Sequence, residues 1–85
     1  MPDLGIVNKL EKRYNQEISL LGERLRKLRE QKKLTQLDME INSGINRTEI
    51  SRIENGQKNI EFLTLVKLAI ALDAELEDFF YNHKA

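Results

Sequence analysis

The chain has 85 residues, 40% of them apolar and 33% charged, enough for one small core and too few for two. Its 14 basic and 14 acidic side chains cancel, so any anionic partner must be met by a local patch rather than by net charge. Without cysteine, and with His83 as its one histidine, the sequence offers no disulfide framework, zinc site or thiol nucleophile, and no metal or cofactor is expected.

Lys9, Glu11, Lys12 and Arg13 stand where a signal peptide needs an apolar run, and no stretch approaches the roughly 18 apolar residues of a membrane span. The expectation is a soluble, cytoplasmic protein with no membrane partner. Charge is uneven along the chain: residues 1–34 sum to +4 and residues 35–85 to −4. Apolar residues recur at spacings of three and four with little strand signal, which predicts an all-α fold.

A first core helix is predicted from about Leu20 to Gln31, where Leu21, Leu25 and Leu28 share a face between charged neighbours. Thr35 stands at an N-cap position with Asp38 three residues on, an approximate capping box for a second helix that runs to about Ser43 before Gly44. Asn46 and Glu49 repeat the cap signature, so a third helix covers about Arg47 to Asn55, and Gly56 ends it where a positive φ is favoured. A fourth, about Ile60 to Leu72, is expected to bury Phe62, Leu65, Leu68, Ala69 and Leu72. A final turn from Glu75 brings in Leu76, Phe79 and Phe80.

The informative segment is Thr35 to Gly56, two short capped helices joined at Ser43-Gly44-Ile45, which is helix-turn-helix geometry. At 100° per residue, Ile50 and Ile53 of the third helix point inward. Arg47, Thr48, Ser51, Arg52 and Asn55 occupy the opposite arc. Such a face suits a major groove, where Arg donates two hydrogen bonds to guanine and Thr meets a base edge or thymine methyl. Alone, such a face is more often plain solvated surface, and the capped two-helix frame around it is what favours the groove.

These segments together resemble the phage-repressor and Cro type of helix-turn-helix DNA-binding domain, also called the xenobiotic-response-element type. The match covers about Leu20 to Phe80 and rests on LGERLRKLRE, LTQ, SGIN, RTEISRIENG, LTLVKLAIAL and LEDFF. The resemblance implies a five-helix domain that binds operator DNA as a homodimer and reads bases with Arg47, Thr48 and Arg52. It also implies that Gln36 grips phosphate and braces the recognition helix, and that Asn46 and Asn55 lie near the DNA backbone with helix N-terminal N–H groups. Arg29 and Glu54 match a structural ion pair beneath that helix.

Two positions depart from the family pattern. Glu40 replaces the usual small alanine and must reach an arginine, Arg47 or Arg52, or lean outward. Leu37 and Ile41 put an apolar strip where the family is polar. A candidate cover is the N-terminal extension, in which Leu4, Val7, Glu11, Tyr14, Ile18, Leu21, Leu25 and Leu28 keep a four-three spacing. It could run as a helical arm into the first core helix. A frayed tail is the alternative, since Pro2, Gly5 and Gly22 are poor helix formers.

The domain reading is thus an extension over 1–19, a helix-turn-helix unit over 20–81 and a tail over 82–85. His83 is expected to be inert, and Tyr81 beside Phe79 and Phe80 could extend an apolar dimer patch. The sequence shows no carboxylate pair, phosphate loop or catalytic triad that would support an enzyme. The functional expectation is a sequence-specific transcriptional regulator acting as a homodimer on palindromic double-stranded DNA. The narrower alternative is the antitoxin of a toxin-antitoxin pair. A protein-interaction module without DNA binding, favoured by zero net charge and by Glu49 and Glu54, is the competing class.

Overall fold

The structure is a computed structural model that describes residues 4–80. The expectations for Tyr81 and His83, and for the side chain of Leu4, lie outside the described residues. Four α-helices and one 3₁₀ turn follow in chain order: α1 Leu4–Gln31, α2 Gln36–Ser43, α3 Arg47–Glu54, α4 Phe62–Leu72, and the 3₁₀ turn Leu76–Phe79. The fold is all-α, as the spacing predicts.

The extension and the first core helix are one uninterrupted element of 28 residues, so the expected start near Leu20 moves to Leu4. At 1.5 Å per residue this helix is about 42 Å long, and it accounts for most of the molecule's 48 Å longest dimension. Gly5 and Gly22 do not break it.

Local signals set the remaining boundaries. Thr35 Oγ1 accepts from the Asp38 N–H at 3.0 Å, and Asp38 Oδ2 accepts from the Thr35 N–H at 2.8 Å, a full capping box. Hydrogen bonds to the carboxylate from the Thr35 backbone N–H, first, and from the Thr35 side chain hold the Asp38 carboxyl below its usual pKa. Gly44 closes α2 at φ 75°, a left-handed conformation that a side chain would strain. Asn46 caps α3 by accepting from the Glu49 N–H at 3.2 Å, and Gly56 follows the helix at φ 69°. The α4 C-terminus stops at Asp73, also left-handed, whose carbonyl accepts from Lys32 Nζ at 2.9 Å.

The core consists of Leu25 from α1, Met39, Ile45, Ile50 and Ile53 from the helix pair, Leu65, Leu68, Ala69 and Leu72 from α4, and Phe79. Leu21 and Leu28 pack on its edge. Two core expectations fail: Phe62 is 69% exposed, because α4 begins there, two residues later than the spacing suggests, and Phe80 is 56% exposed while Phe79 alone of that pair enters the core. A third expectation fails with them. The arm does not cover the strip on α2, and Leu37 and Ile41 remain exposed.

The sharpest contact between elements is at Gly22. A Cβ built there would lie 2.2 Å from the Ile53 carbonyl oxygen and 2.7 Å from that of Glu54, so α1 and the end of α3 touch backbone to backbone. Gly to Ala inside a helix ordinarily gains about 1 kcal/mol. Here the neighbour is fixed backbone, and overpacking of this kind costs roughly 1–3 kcal/mol. Gly22→Ala is therefore expected to lower stability in a urea melt, and a gain would show that α1 and α3 can move apart freely.

Candidate nucleic-acid interface

The helix pair is built around a turn closed from within. Ser43 Oγ donates to the Met39 carbonyl at 2.5 Å and accepts from the Ile45 N–H at 3.0 Å. Ile45 is buried as a plug between the helices. With Ile50 and Ile53 fully inside, α3 can present only one face outward. On it Arg47, Thr48, Arg52 and Asn55 are exposed, and Ser51 is half-buried. The side chains of Arg47 and Arg52 have no hydrogen bond or ion pair among the described residues. Both guanidinium groups are free for an anionic partner.

Beneath this face lies Glu54, whose side chain is only 1% exposed. Arg29 donates from Nε to Oε2 at 2.6 Å and from Nη2 to Oε1 at 3.0 Å, and its third donor, Nη1, reaches the Leu34 carbonyl at 2.8 Å. The fork matches the carboxylate, which lysine, with all its donors on one nitrogen, could not do. The hydrogen bonds to Glu54 raise the Arg29 pKa above its ordinary value against the opposing effect of burial. Gln36 Nε2 also donates to Glu54 Oε1 at 3.2 Å, so among the described residues its amide braces α3 from the start of α2.

Arg26 was not singled out from the sequence, yet it stands one turn before Arg29 on the same face of α1. Its Nη2 donates to Asn55 Oδ1 at 2.7 Å and to the Glu54 carbonyl at 3.4 Å, and its Nε lies 3.6 Å from Glu54 Oε1. A cation is thereby seated at the negative end of α3. The Asn55 oxygen is engaged by this contact, which leaves its amide nitrogen for other partners.

The other end of α3 carries an anion. Glu40 Oε1 accepts from the Arg47 backbone N–H at 2.6 Å, so Glu40 does reach Arg47, but through the main chain rather than the guanidinium. Because Asn46 takes the Glu49 N–H, two donors at this helix start are already satisfied internally. Of the N–H groups expected near the DNA backbone, those of Arg47 and Glu49 therefore have internal partners in Glu40 and Asn46. Glu49 in turn forms an ion pair with Lys58, so its charge is offset at the flank of the face.

A short capped helix, a closed turn and a second helix with one face locked and the other open define the helix-turn-helix class. The chain belongs to the helix-turn-helix domain family, whose profile matches residues 22–82. It is similar to the HTH-type transcriptional repressor RghR of Bacillus subtilis (strain 168), 44% identical over 62 residues, which are 72% of this chain and 46% of that protein. The chain thus spans less than half of that relative's length. An uncharacterized HTH-type transcriptional regulator, y4dJ of Sinorhizobium fredii (strain NBRC 101917 / NGR234), is 40% identical over 53 residues, 62% of this chain and 69% of that one.

Among solved structures, the restriction-modification controller protein C.AhdI from Aeromonas hydrophila superposes with a TM-score of 0.75 at 37% identity, covering 76% of this chain and 98% of that one. A mutant of the restriction-modification controller protein C.Esp1396I gives 0.71 at 30% identity, over 75% and 81% of the two chains.

Leaving the Arg29 and Arg26 charges facing an empty site should be expensive. Removing one partner of a buried pair costs about 3 kcal/mol or more, whereas an exposed pair is worth under about 1 kcal/mol. Glu54→Ala is expected to lose about 3 kcal/mol in a urea melt. A loss well under 1 kcal/mol would return Glu54 to the surface.

Proposed function

We propose that this chain is a DNA-binding transcriptional regulator that acts as a homodimer on a palindromic operator in the cytoplasm, with α3 in the major groove. The observation that carries the reading is the pair of unpartnered guanidinium groups, Arg47 and Arg52, on the open face of a helix whose other face is fixed by the core and by Glu54. The transcriptional regulators among its relatives support it, and they favour a non-enzymatic role. Among the described residues no helix is long and apolar enough to cross a membrane.

In this reading the DNA-binding unit is residues 20–81, and residues 1–19 are an extension. Arg47 and Arg52 meet guanine edges or flanking phosphates, and Thr48 and Ser51 meet neighbouring base edges. Asn46 and the free amide of Asn55 sit at the two ends of α3, where backbone phosphates pass. Gln36 serves chiefly by holding Glu54, and so α3, in place. Glu40 lowers the positive potential at the start of α3, which favours base-specific contacts by Arg47 over indiscriminate phosphate binding.

Selection from a pool of random duplexes on the pure protein yields the operator. On it, Arg47→Ala should cost roughly 1–3 kcal/mol and relax preference at one base pair while leaving the thermal melt unchanged. The wild-type affinity should fall with salt at a logarithmic slope of about −0.9 per phosphate neutralised. Salt-insensitive binding, or an alanine variant with unchanged affinity and preference, would favour a protein-interaction module instead.

A further inference from the structure

The arm is a long helix with an apolar seam and little to rest on. Val7, Tyr14, Ile18 and Leu21 follow the heptad spacing with Glu11 at one seam position. Val7 is 50% and Tyr14 43% exposed, Glu11 is open to solvent, and Ile18 is half-buried. A lone helix of this length is marginal in water, so its exposed turns call for a partner. Further along, the seam is taken by the core: Leu25 is 1% exposed and Leu28 packs beside it.

Between these regions the seam opens into a groove of about 410 Å³ whose lining includes Tyr14, Ile18, Leu21, Ile60 and Phe80, with Phe80 56% exposed. The groove is therefore continuous with the free part of the seam.

We infer that the arm pairs antiparallel with the arm of a second copy, so that the outer turns of each lie along the seam of the other toward the groove beside Ile18. The inference rests on the homodimer reading and names where the two copies meet. Charge, register and the position of the groove favour it over a parallel pair. A parallel pair would set Glu11 against Glu11, two like charges in an apolar seam, and could use only the short stretch before each core begins. Antiparallel, the seam residues pair so that Val7 meets the partner's Ile18 and Glu11 meets the partner's Tyr14, whose hydroxyl can donate to the carboxylate. The same register sets Asn8 across from the partner's Asn15, and both are exposed. The groove lies where the incoming arm ends.

This geometry has a consequence for DNA. The pair is centred between residues 12 and 13, and α3 rests on α1 at Gly22. The two Gly22 positions would lie about 28 Å apart along the arms, near the ~34 Å that separates half-sites one helical turn apart.

The absence of native cysteine makes the register directly readable without DNA. Val7→Cys and Ile18→Cys chains are prepared separately, checked by circular dichroism, and oxidised with glutathione disulfide alone and mixed. The mixture should form a disulfide-linked dimer at least about tenfold faster than either single variant, because only unlike positions come within bonding distance. Faster linking of Val7→Cys to itself, or no linking in the mixture, overturns the arm pairing. Sedimentation separates the two readings. A wild-type dimer with no mixed disulfide leaves the homodimer standing without the arm, whereas a wild-type monomer removes both. Val7→Asp, at a site too exposed to unfold the bundle, should shift the dimer to monomer, and an unshifted dimer also overturns the proposal.

Discussion

Glu54 sets the terms for everything around it. A carboxylate at a helix C-terminus is disfavoured by the helix dipole, and burying it costs several kcal/mol, so its position is tolerable only if fully compensated. The compensation comes from three directions: the Arg29 fork and Arg26 from α1, and the Gln36 amide from α2. Each tie is also a constraint on where α3 can lie. A hydrophobic replacement of similar volume could stabilise as well, but it would lack direction, and Glu54 fixes an angle as well as an energy.

The backbone geometry agrees with that constraint. Gly22 lets α1 approach α3 at the same end where Arg26 and Arg29 reach it, so close approach and charge pairing reinforce one another. At the opposite end, Glu40 and Asn46 each accept from one leading N–H group of α3, those of Arg47 and Glu49. Helix α3 is thus tied at both ends and plugged by Ile50 and Ile53 along its length. The unpaired guanidinium groups of Arg47 and Arg52 stand on a support whose buried carboxylate, Glu54, is held by Arg29, Arg26 and Gln36. Such a support keeps long, flexible side chains at a constant height and angle above a groove.

Much of this was legible in the sequence because it is written in local terms. The Thr35 and Asn46 caps, Gly44 and Gly56 at left-handed positions, and the split between Ile50 and Ile53 inside and Arg47 and Arg52 outside all follow from residue chemistry within one turn. What was not legible depended on tertiary context. Gly22 reads as a weak helix former until the α3 backbone is laid against it. Glu40 signals a missing partner without saying that the partner is a main-chain N–H. In α4 nearly every residue is apolar, so periodicity marks no single inward face, and Phe62 ends up outside. The boundary between arm and core helix has no local mark, because the two share one seam and the helix runs straight through.

The central claim is that the charge cluster under α3 positions the reading face, and Arg29→Lys tests it most directly. Lysine preserves the charge beside Glu54 but loses the fork and the tie to the Leu34 carbonyl. Affinity for the selected operator duplex should be measured at a temperature where circular dichroism shows the variant fully folded. The account predicts a loss of about tenfold or more from a folded protein, as a once rigid support becomes mobile. Affinity and base preference matching wild type in that folded variant would contradict it.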